Sequence, residues 1–371
     1  MSEFRSDPIS GRQVIIAPQR SARPPAGGTG GGKDLQGREG RDPGPAYVES
    51  CPFCAGNEQM TPPETMALGR SAAVRDGRGW KVRVVPNRYP AVERSAQGQL
   101  TAESSFPSGY GAHEVLIETP VHNRHPGNFP PRQMELVIEA LYRRGEALSR
   151  DPGLRYLQFY RNHRREAGAS MEHPHSQLVA LPFVPALLRR ELERSQDLYL
   201  SEGGCPFCRL EEEENRFGQR IVAQNEGCSA FIPAAARSPF ETWILPRRHR
   251  ASFLETTVYE RAALAAILEE VLGIMARALG DAPYNYYLRT APLRSPPLPY
   301  YHWHLELLPR VGVNAGFEMG SGVYINEIAP EEAARFIREK GKREHEAAPR
   351  KDLLYSCTAQ PPACGEPGRG L

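Results

Sequence analysis

The same order of motifs occurs twice along this chain of 371 residues. A Cys-Pro-Phe-Cys tetrapeptide lies at 51–54 and again at 205–208, and strands, a single histidine, a long helix and a His-x-His segment follow each copy. The single histidine precedes the first histidine of the His-x-His segment by 51 positions in one copy and by 53 in the other. Spacing kept this closely indicates gene duplication, in which two similar units bury a common core. We therefore predict an α+β fold whose two α+β halves share one mainly antiparallel sheet.

The hydrophobic pattern predicts the elements of each half. The expected helices lie at 131–149, 186–200, 259–279 and 330–340. The expected strands lie at 14–17, 81–85, 113–119, 154–160, 178–181, 228–232, 241–245, 284–289 and 301–308. A turn is expected at 314–322 and a loop at 161–171, where Arg161 and its basic neighbours either assist phosphate binding or form a solvated surface.

The repeat divides the chain into an N-terminal half at 1–185 and a C-terminal half at 186–340. Glycine and proline dominate 24–45, which predicts a flexible loop because little in it can be buried. The polar, Gly/Pro-rich segment 341–371 is expected to be a disordered tail.

Charge and hydropathy exclude several classes of protein. The 46 basic and 44 acidic residues are well mixed, which argues against a nucleic-acid surface. No apolar run approaches the roughly 18 residues that span a bilayer, and the N-terminus lacks the apolar core of a signal peptide. We expect a soluble, cytoplasmic protein without nucleic-acid or membrane partners, whose paired cysteines are metal ligands instead of disulfides.

Each half carries two cysteines and two histidines that together suit a zinc site. Zinc needs four tetrahedral ligands, and the histidines near strand ends add two to each C-x-x-C pair. The predicted ligands are Cys51, Cys54, His122 and His173 in the first half and Cys205, Cys208, His249 and His302 in the second. Four protein ligands make a closed, structural site, so we predict one or two structural Zn²⁺ ions per chain. The alternative is that the second group is a decayed copy with free thiols.

The segment 168–177 combines a Gly-Ala-Ser turn with the sequence His-Pro-His-Ser-Gln. In extended form its alternate side chains share a face, so His173, His175 and Gln177 point the same way. With His173 assigned to the metal, His175 remains as a nucleophile, because an imidazole bonded to a backbone carbonyl through one nitrogen leaves the other free. Gln177 can donate to a phosphate oxygen, and the Ser170 hydroxyl with nearby backbone amides can hold its charge. The alternative is that these are ordinary loop histidines.

Five motifs together carry a family resemblance. They are Gly-Ala-Ser at 168–170, His-Pro-His-Ser-Gln at 173–177, Cys-Pro-Phe-Cys-Ala-Gly-Asn at 51–57, Pro-Asn-Arg-Tyr-Pro at 86–90 and Gly-Phe-Glu-Met at 316–319. In this combination the chain resembles, over about residues 4–340, the galactose-1-phosphate uridylyltransferase family of the histidine-triad superfamily. The resemblance implies a duplicated histidine-triad fold and a ping-pong nucleotidyltransferase in which His175 becomes nucleotidylated.

The resemblance also implies roles for other residues. Contacts to the phosphates are implied for Asn162, Gly168, Ser170 and Gln177. Contacts to the nucleotide are implied for Arg20, Arg23, Phe53, Asn87 and Arg88. Members of the family are homodimers in which both subunits build each active site, so Phe317 and Glu318 would face the sugar of the ligand bound by the partner subunit.

The chain departs from the uridylyltransferases proper at two places. Those enzymes have a lysine that helps to hold the hexose phosphate where this chain has Gly312, and their second half binds iron through Glu and His. Cys205 and Cys208, with Pro-Tyr-Asn-Tyr at 283–286 and the segment 320–326, look more like the branch that includes the plant ADP-glucose phosphorylase, which transfers AMP. We expect a UDP-glucose:hexose-1-phosphate (galactose-1-phosphate) uridylyltransferase acting on a nucleotide sugar and a sugar 1-phosphate. The alternative is an ADP-glucose phosphorylase with phosphate as acceptor.

Two other classes of function stay open. A histidine-triad nucleotide hydrolase usually carries His where Gln177 stands, and a zinc-stabilised binding protein would make His175 dispensable. In the second half, His304 takes the place of the nucleophile, Glu306 replaces the glutamine and Trp303 crowds the segment. We therefore interpret His304 as a vestige or a structural group.

Overall fold

The computed structural model of the protein describes residues 2–22, 44–70, 74–94 and 109–342. Of the expected flexible loop only residues 44–45, and of the expected tail only residues 341–342, are among them. The strands are β1 (Glu3–Ser6), β2 (Gln13–Ile16), β3 (Met66–Leu68), β4 (Val82–Pro86), β5 (Ala112–Ile117), β6 (Tyr156–His163), β7 (His175–Leu181), β8 (Ile221–Gln224), β9 (Cys228–Phe231), β10 (Thr242–Pro246), β11 (Tyr284–Arg289), β12 (His304–Pro309) and β13 (Tyr324–Asn326). The helices are α1 (Gln133–Ser149), α2 (Ala186–Glu202), α3 (Pro206–Phe217), α4 (Val258–Leu279), α5 (Gly316–Ser321) and α6 (Pro330–Lys340).

Ten strands form one antiparallel sheet in the order β3-β4-β5-β7-β6-β11-β12-β10-β9-β8. Counted from the two outer edges, both halves have the same strand order, because β8-β9-β10-β12-β11 repeats β3-β4-β5-β7-β6. The halves join where β6 pairs with β11, which sets Tyr160 opposite Tyr287 and His163 opposite Tyr284. The predicted α+β fold with two halves and a shared antiparallel sheet is confirmed.

Helices α1 and α4 pack together on one face of the sheet. Val137 and Ile138 of α1 and Ile267 and Leu268 of α4 are buried in one core with residues of both halves of the sheet. Each such side chain stabilises the fold by about 1.5–3 kcal/mol through burial. Because side chains alternate along a strand, the opposite face of the same strands carries the polar groups described below.

A smaller three-stranded sheet joins the two ends of the described chain. Strand β2 pairs with β1 and, in parallel, with β13, where Ile15 lies opposite Ile325. The Asn326 amide at the end of β13 donates to the Ala236 carbonyl at 2.9 Å. The first strands of the chain therefore lie against segments of the C-terminal half.

Two helices occur where the sequence did not predict them. Helix α3 follows Cys205 directly, with a proline in its first turn and Gly218 at φ 68° after its last residue, which are a start and a stop signal for a helix. Helix α5 replaces the turn expected at 314–322, and Glu318 caps it by accepting from the Ala315 backbone amide at 2.9 Å.

Several strand boundaries also differ from the prediction. Strand β6 continues to His163, into the expected loop 161–171, because β11 pairs with its last residues. Strand β7 begins at His175, whereas β12 begins only at His304, because a turn closed by a bond from Tyr301 N to Leu298 O precedes it. In the described part of the chain, the structure contains no helix with the length and apolar character that membrane crossing requires.

Candidate active site and metal centres

The two cysteines and two histidines of the first half meet at one point. Ligand atoms of Cys51, Cys54, His122 and His173 all lie within 4.8 Å of one another. The His173 Nδ1 atom is 3.7 Å from each sulfur, and the His122 Nδ1 atom is 3.5 Å from the Cys54 sulfur. In a tetrahedral zinc site, with Zn–S and Zn–N bonds of about 2.3 and 2.0 Å, a sulfur and a nitrogen are about 3.5 Å apart. The four side chains therefore fit a tetrahedral metal ion.

The tautomer of His173 suits metal binding. Its Nε2 donates to the Thr119 carbonyl at 2.7 Å, so the lone pair lies on Nδ1, facing the sulfurs. Cys51 and Cys54 are buried and not oxidised to a disulfide.

The second half repeats this geometry. Ligand atoms of Cys205, Cys208, His249 and His302 also lie within 4.8 Å of one another. The Cys208 sulfur is 3.4 Å from His249 Nδ1 and 3.6 Å from His302 Nδ1, and His302 Nε2 donates to the Arg248 carbonyl at 3.1 Å. Both groups can therefore hold a metal ion with four protein ligands.

A third group, His125, His163 and Asp281, does not fit a metal ion. The Gly127 backbone amide donates to His125 Nδ1 at 3.0 Å, so in the neutral ring the proton lies on Nε2, which faces Asp281. His163 and the Arg164 guanidinium also contact the Asp281 carboxylate. The group is a carboxylate surrounded by donors, in which burial lowers the pKa of His125 to about 3.

His175 begins β7 beside the first metal group, on the sheet face opposite α1 and α4. Its Nδ1 donates to the His173 carbonyl at 2.8 Å, which leaves the lone pair on Nε2. The Phe53 ring lies 5.5 Å from the His175 ring. Burial lowers the pKa of His175, so the ring is neutral at pH 7. An imidazole in this state can attack phosphorus.

Gln177 lies on the same face of β7. Its Oε1 accepts from His113 Nε2 at 2.9 Å and from the Tyr160 hydroxyl at 3.0 Å. Asn87, at the end of β4, lies in the same cluster, with its amide nitrogen 3.1 Å from His113 Nε2. The next residue, Arg88, is exposed.

Asn162, on β6, contacts the loop that precedes His175. Its Nδ2 is 3.4 Å from the Gly168 carbonyl, and its Oδ1 accepts from Asn285 Nδ2 at 2.8 Å. Asn285 also donates to the Ala167 carbonyl at 2.8 Å. Gly168 has φ 89°, a left-handed conformation that strains other residues, and Ser170 is exposed two positions later.

The remaining predicted residues lie elsewhere. Arg20 is beside the small sheet, 3.8 Å from Glu327, and Arg23 lies outside the described residues. Phe317 and Glu318 are on α5, where the Phe317 side chain is 49% exposed.

His304 has two of the same neighbours as His175. Its Nδ1 is 3.1 Å from the His302 carbonyl, as His175 Nδ1 is bonded to the His173 carbonyl. The Phe207 ring lies 5.1 Å from the His304 ring, as the Phe53 ring lies near His175.

Different side chains fill the space beside this second histidine. The register sets Trp243 opposite Glu306, where the first half has Val115 opposite Gln177, and the Trp243 ring stacks on His304. Glu306 is paired with Arg237 and Arg289. The side chain that packs on the His304 ring is therefore Trp243. Trp303, the neighbour of His304 in the sequence, is buried in the core under the helices.

Arg161 is neither a phosphate ligand nor part of a solvated loop. It is buried on the helix-covered face, paired with Glu118, and its Nη1 donates to the His175 carbonyl at 3.3 Å. Ser176 donates to the same carboxylate and lies 3.1 Å from the Tyr286 hydroxyl. This buried network contacts the backbone of His175 from the helix-covered face of the sheet.

Two family descriptions match the chain. The galactose-1-phosphate uridyl transferase N-terminal domain matches residues 1–185, and a domain of unknown function (DUF4921) matches residues 132–348.

Individual relatives match over nearly the whole chain. An ADP-glucose phosphorylase of Arabidopsis thaliana is 34% identical over 91% of this chain and 92% of the relative. A galactose-1-phosphate uridylyltransferase of Thermotoga maritima is 28% identical over 91% of this chain and 98% of the relative. The crystal structure of an Arabidopsis thaliana ADP-glucose phosphorylase with bound ADP-glucose superposes with a TM-score of 0.78, at 32% identity, over 91% of this chain and 98% of that one.

Proposed function

Since this chain belongs to the galactose-1-phosphate uridylyltransferase family of nucleotidyltransferases, we propose that it transfers a nucleoside monophosphate through a covalent bond to His175. The observation that carries this proposal is the state of the His175 ring. Nδ1 is engaged with the His173 carbonyl, which leaves the lone pair of the neutral ring on Nε2. Gln177 follows two positions later on the same face of β7.

The reaction has two balanced steps. In the first, His175 Nε2 attacks the α-phosphorus of a nucleotide sugar, a P–N bond forms and the bond to the oxygen of the sugar 1-phosphate breaks. In the second, an oxygen of the acceptor phosphate attacks the same phosphorus, the P–N bond breaks and His175 is restored. Passing through two displacements lets donor and acceptor use one site in turn.

The amide side chains of Gln177 and Asn162 are suited to binding the phosphate of the intermediate. Gln177 and Asn162 can donate to non-bridging oxygens, and neither can supply or remove a proton at neutral pH. The Ser170 hydroxyl and the backbone of the Gly168 loop would add further donors. Such a site stabilises the charge that develops at phosphorus without activating water, so the intermediate survives until the acceptor binds.

We propose AMP as the transferred group, so that the reaction is the phosphorolysis of ADP-glucose to ADP and glucose 1-phosphate. Two features support this choice over UMP transfer. The ADP-glucose phosphorylase relative is 34% identical and the uridylyltransferase relative 28% identical, over the same share of the chain. Gly312 also lacks a side chain that could hold a hexose phosphate as acceptor, whereas free phosphate does not need one.

A UDP-glucose:galactose-1-phosphate uridylyltransferase is the second candidate. It would use the same histidine and the same amides, and would differ in the base and the acceptor. The first 185 residues match the uridyl transferase description, which is the observation that favours it.

Zinc is the metal that we propose for both Cys/His groups. Two thiolates and two imidazoles with tetrahedral spacing are the ligand set that zinc prefers, and four protein ligands leave no position for substrate. Cys51, Cys54, His122 and His173 would hold the first ion and thereby fix the strand that carries His175. Cys205, Cys208, His249 and His302 would hold the second ion, with a purely structural role.

A homodimer is part of the proposal. Phe317 is half exposed on the short helix α5, and Met319 beside it is 80% exposed. Phe317 and Glu318 would complete the sugar site of the partner subunit, and Arg20, Arg23, Asn87 and Arg88 would surround the nucleotide. We expect the protein to act in the cytoplasm, where reducing conditions keep its ligand cysteines as thiols.

The test is a steady-state assay of the purified protein with two pairs of substrates. ADP-glucose with phosphate should yield glucose 1-phosphate and ADP, and the rate should be at least tenfold above that of UDP-glucose with galactose 1-phosphate. Faster turnover of the uridine pair would favour the second candidate. No turnover of either pair, in protein that carries its metal, would overturn the proposal.

A further inference from the structure

Two side-chain amides lie on β7, the strand that begins with His175, and on its neighbour β6: Gln177 and Asn162. The oxygen of each is already engaged by protein groups. Gln177 Oε1 accepts from His113 Nε2 and from the Tyr160 hydroxyl, at 2.9 and 3.0 Å. Asn162 Oδ1 accepts from Asn285 Nδ2 at 2.8 Å. An amide whose oxygen is held in this way has its NH₂ group on the other side.

The direction of the His113 bond follows from its second nitrogen. The Ala91 backbone amide, which can only donate, lies 3.1 Å from His113 Nδ1. Nδ1 is therefore an acceptor, and the proton of the neutral ring is on Nε2, from which it is donated to Gln177. The Asn87 amide nitrogen, 3.1 Å from the same Nε2, then makes only a van der Waals contact, and its hydrogens remain available to other acceptors.

The direction of the Asn285 bond is fixed in a similar way. The same amide nitrogen of Asn285 donates to the Ala167 carbonyl, which can only accept. Asn285 is on β11, in the C-terminal half, and Asn162 is on β6, in the N-terminal half. A residue of the C-terminal half, Asn285, therefore fixes the orientation of the Asn162 amide across the β6–β11 pairing.

We propose that His113, Tyr160 and Asn285 are positioning residues that lock Gln177 and Asn162 with their NH₂ groups toward the phosphates of the substrate. Within the described residues, the Gln177 amide nitrogen has no protein partner, and the Asn162 amide nitrogen has only the long 3.4 Å contact to Gly168. Both nitrogens are thus left for a ligand. In this orientation each amide directs only its NH₂ donors toward the phosphate. Its oxygen, which would repel the phosphate oxygens, is held on the other side.

The second half of the chain supports this role by contrast. By extension of the strand register, Glu241, directly before β10, takes the place of His113 in the first half, and Glu306 takes the place of Gln177. Tyr287 still contacts residue 306, at 2.6 Å, but that residue is now a carboxylate paired with Arg237. The half that lacks the amide also lacks the histidine that would orient it.

The proposal rests on the proposed function, so the test combines a chemical and an equilibrium readout. The first readout is single-turnover release of glucose 1-phosphate from ADP-glucose, with UDP-glucose in parallel. The second is the calorimetric affinity for AMP and UMP, which needs no chemistry. Wild type that releases no sugar phosphate from either donor overturns the proposed function, whereas the affinities still decide the question of amide orientation.

His113→Ala should lower both the single-turnover rate and the nucleotide affinity about tenfold or more. Without His113 the Gln177 amide can rotate, and its hydrogen bond to the charged phosphate is then lost. His113→Gln should restore most of the loss, since its amide NH₂ can replace the Nε2 donor. Asn285→Ala should have a similar effect through Asn162. Tyr160→Phe should have a smaller effect, and the matched change Tyr287→Phe in the second half should have none on either readout.

The double variant His113→Ala/Gln177→Ala separates positioning from a general structural role. If His113 acts only by orienting Gln177, its removal costs nothing further once Gln177 is alanine, so the double variant should equal Gln177→Ala. Additive losses would overturn the proposal, because they would mean that His113 acts independently of Gln177. Unchanged kinetics and affinities in His113→Ala would overturn it as well.

Discussion

Trp243 stacks on His304, with ring centroids 4.9 Å apart and the two planes 28° apart. His304 has the same backbone bond as His175, but an aromatic ring covers it where the first half has the smaller Val115. Glu306, whose carboxylate lies 3.7 Å from His304 Nε2, stands where the first half has the amide of Gln177. We therefore expect one reactive histidine per chain, His175, with the second half in a supporting role.

His304→Ala should leave turnover within about twofold of wild type. The substitution removes a buried ring and should lower the free energy of unfolding by about 1–3 kcal/mol, because of the cavity that it leaves. Steady-state kinetics at a temperature well below unfolding would check the first statement and urea denaturation the second. A loss of activity as large as that of His175→Ala would contradict the assignment of a single nucleophile.

Removal of one ligand from either Cys/His group should remove one metal ion. Wild type should contain about two zinc ions per chain, and Cys51→Ala and Cys205→Ala should each contain about one, as measured by elemental analysis. Cys51→Ala should also lose most activity, since His173 and His175 share one short segment. Cys228→Ala is the matched control, because Cys228 is a buried cysteine outside both groups and its loss should leave the metal content unchanged. Full metal content in Cys205→Ala would contradict the second site.

Acid should destabilise the protein in part through His125. Burial lowers the pKa of this histidine to about 3, next to His163, Asp281, Arg161 and Arg164, whereas an unfolded chain protonates it near 6.5. Below pH 6.5 the unfolded state takes up a proton that the folded state does not, so stability falls as the pH falls toward 3. The loss is at most about 1.4 kcal/mol per pH unit.

His125→Asn isolates this contribution. Asparagine keeps an oxygen that can accept from the Gly127 amide, but does not titrate. Its free energy of unfolding, measured from pH 7 to pH 4.5, should fall less steeply than that of wild type. Parallel curves for the two proteins would contradict the prediction.

Subunit exchange should reveal whether α5 acts in the partner's site. His175→Ala and the double variant Phe317→Ala/Glu318→Ala should each be weakly active alone. Mixed and allowed to exchange, they should form heterodimers with one site that has both the nucleophile and an intact α5, and activity should return to a fraction of wild type. Absence of recovery in a mixture that light scattering shows to be dimeric would place Phe317 and Glu318 outside the partner's site.

The sequence predicted the features that depend on short-range spacing. C-x-x-C pairs and a His-x-His segment are readable because the residues of each motif are adjacent, and the repeat indicates which histidines join which cysteines. The antiparallel sheet followed from the same repeat, since two copies of one unit can pair through equivalent strands.

Features that depend on strand register could not be predicted in the same way. His113 contacts Gln177 across 64 positions of sequence, and Asn285 contacts Asn162 across 123. Neither His113 nor Asn285 belongs to a local motif with an acceptor at fixed spacing. Trp243 and Trp303 are equally plausible neighbours of His304 until the pairing of β10 with β12 is known. The burial of Arg161 depends on its pair with Glu118, which follows a different strand. The sequence around Arg161 does not contain this partner, so it predicts a loop there.

The most direct test of the account is the intact mass of the protein after brief exposure to ADP-glucose, followed by peptide mapping, with UDP-glucose in parallel and His175→Ala as control. We predict an AMP adduct on the peptide that contains His175, its loss on addition of phosphate, and no adduct in the control. An adduct that persists in His175→Ala, or wild-type protein with its metal that forms no adduct with either donor, would contradict the account.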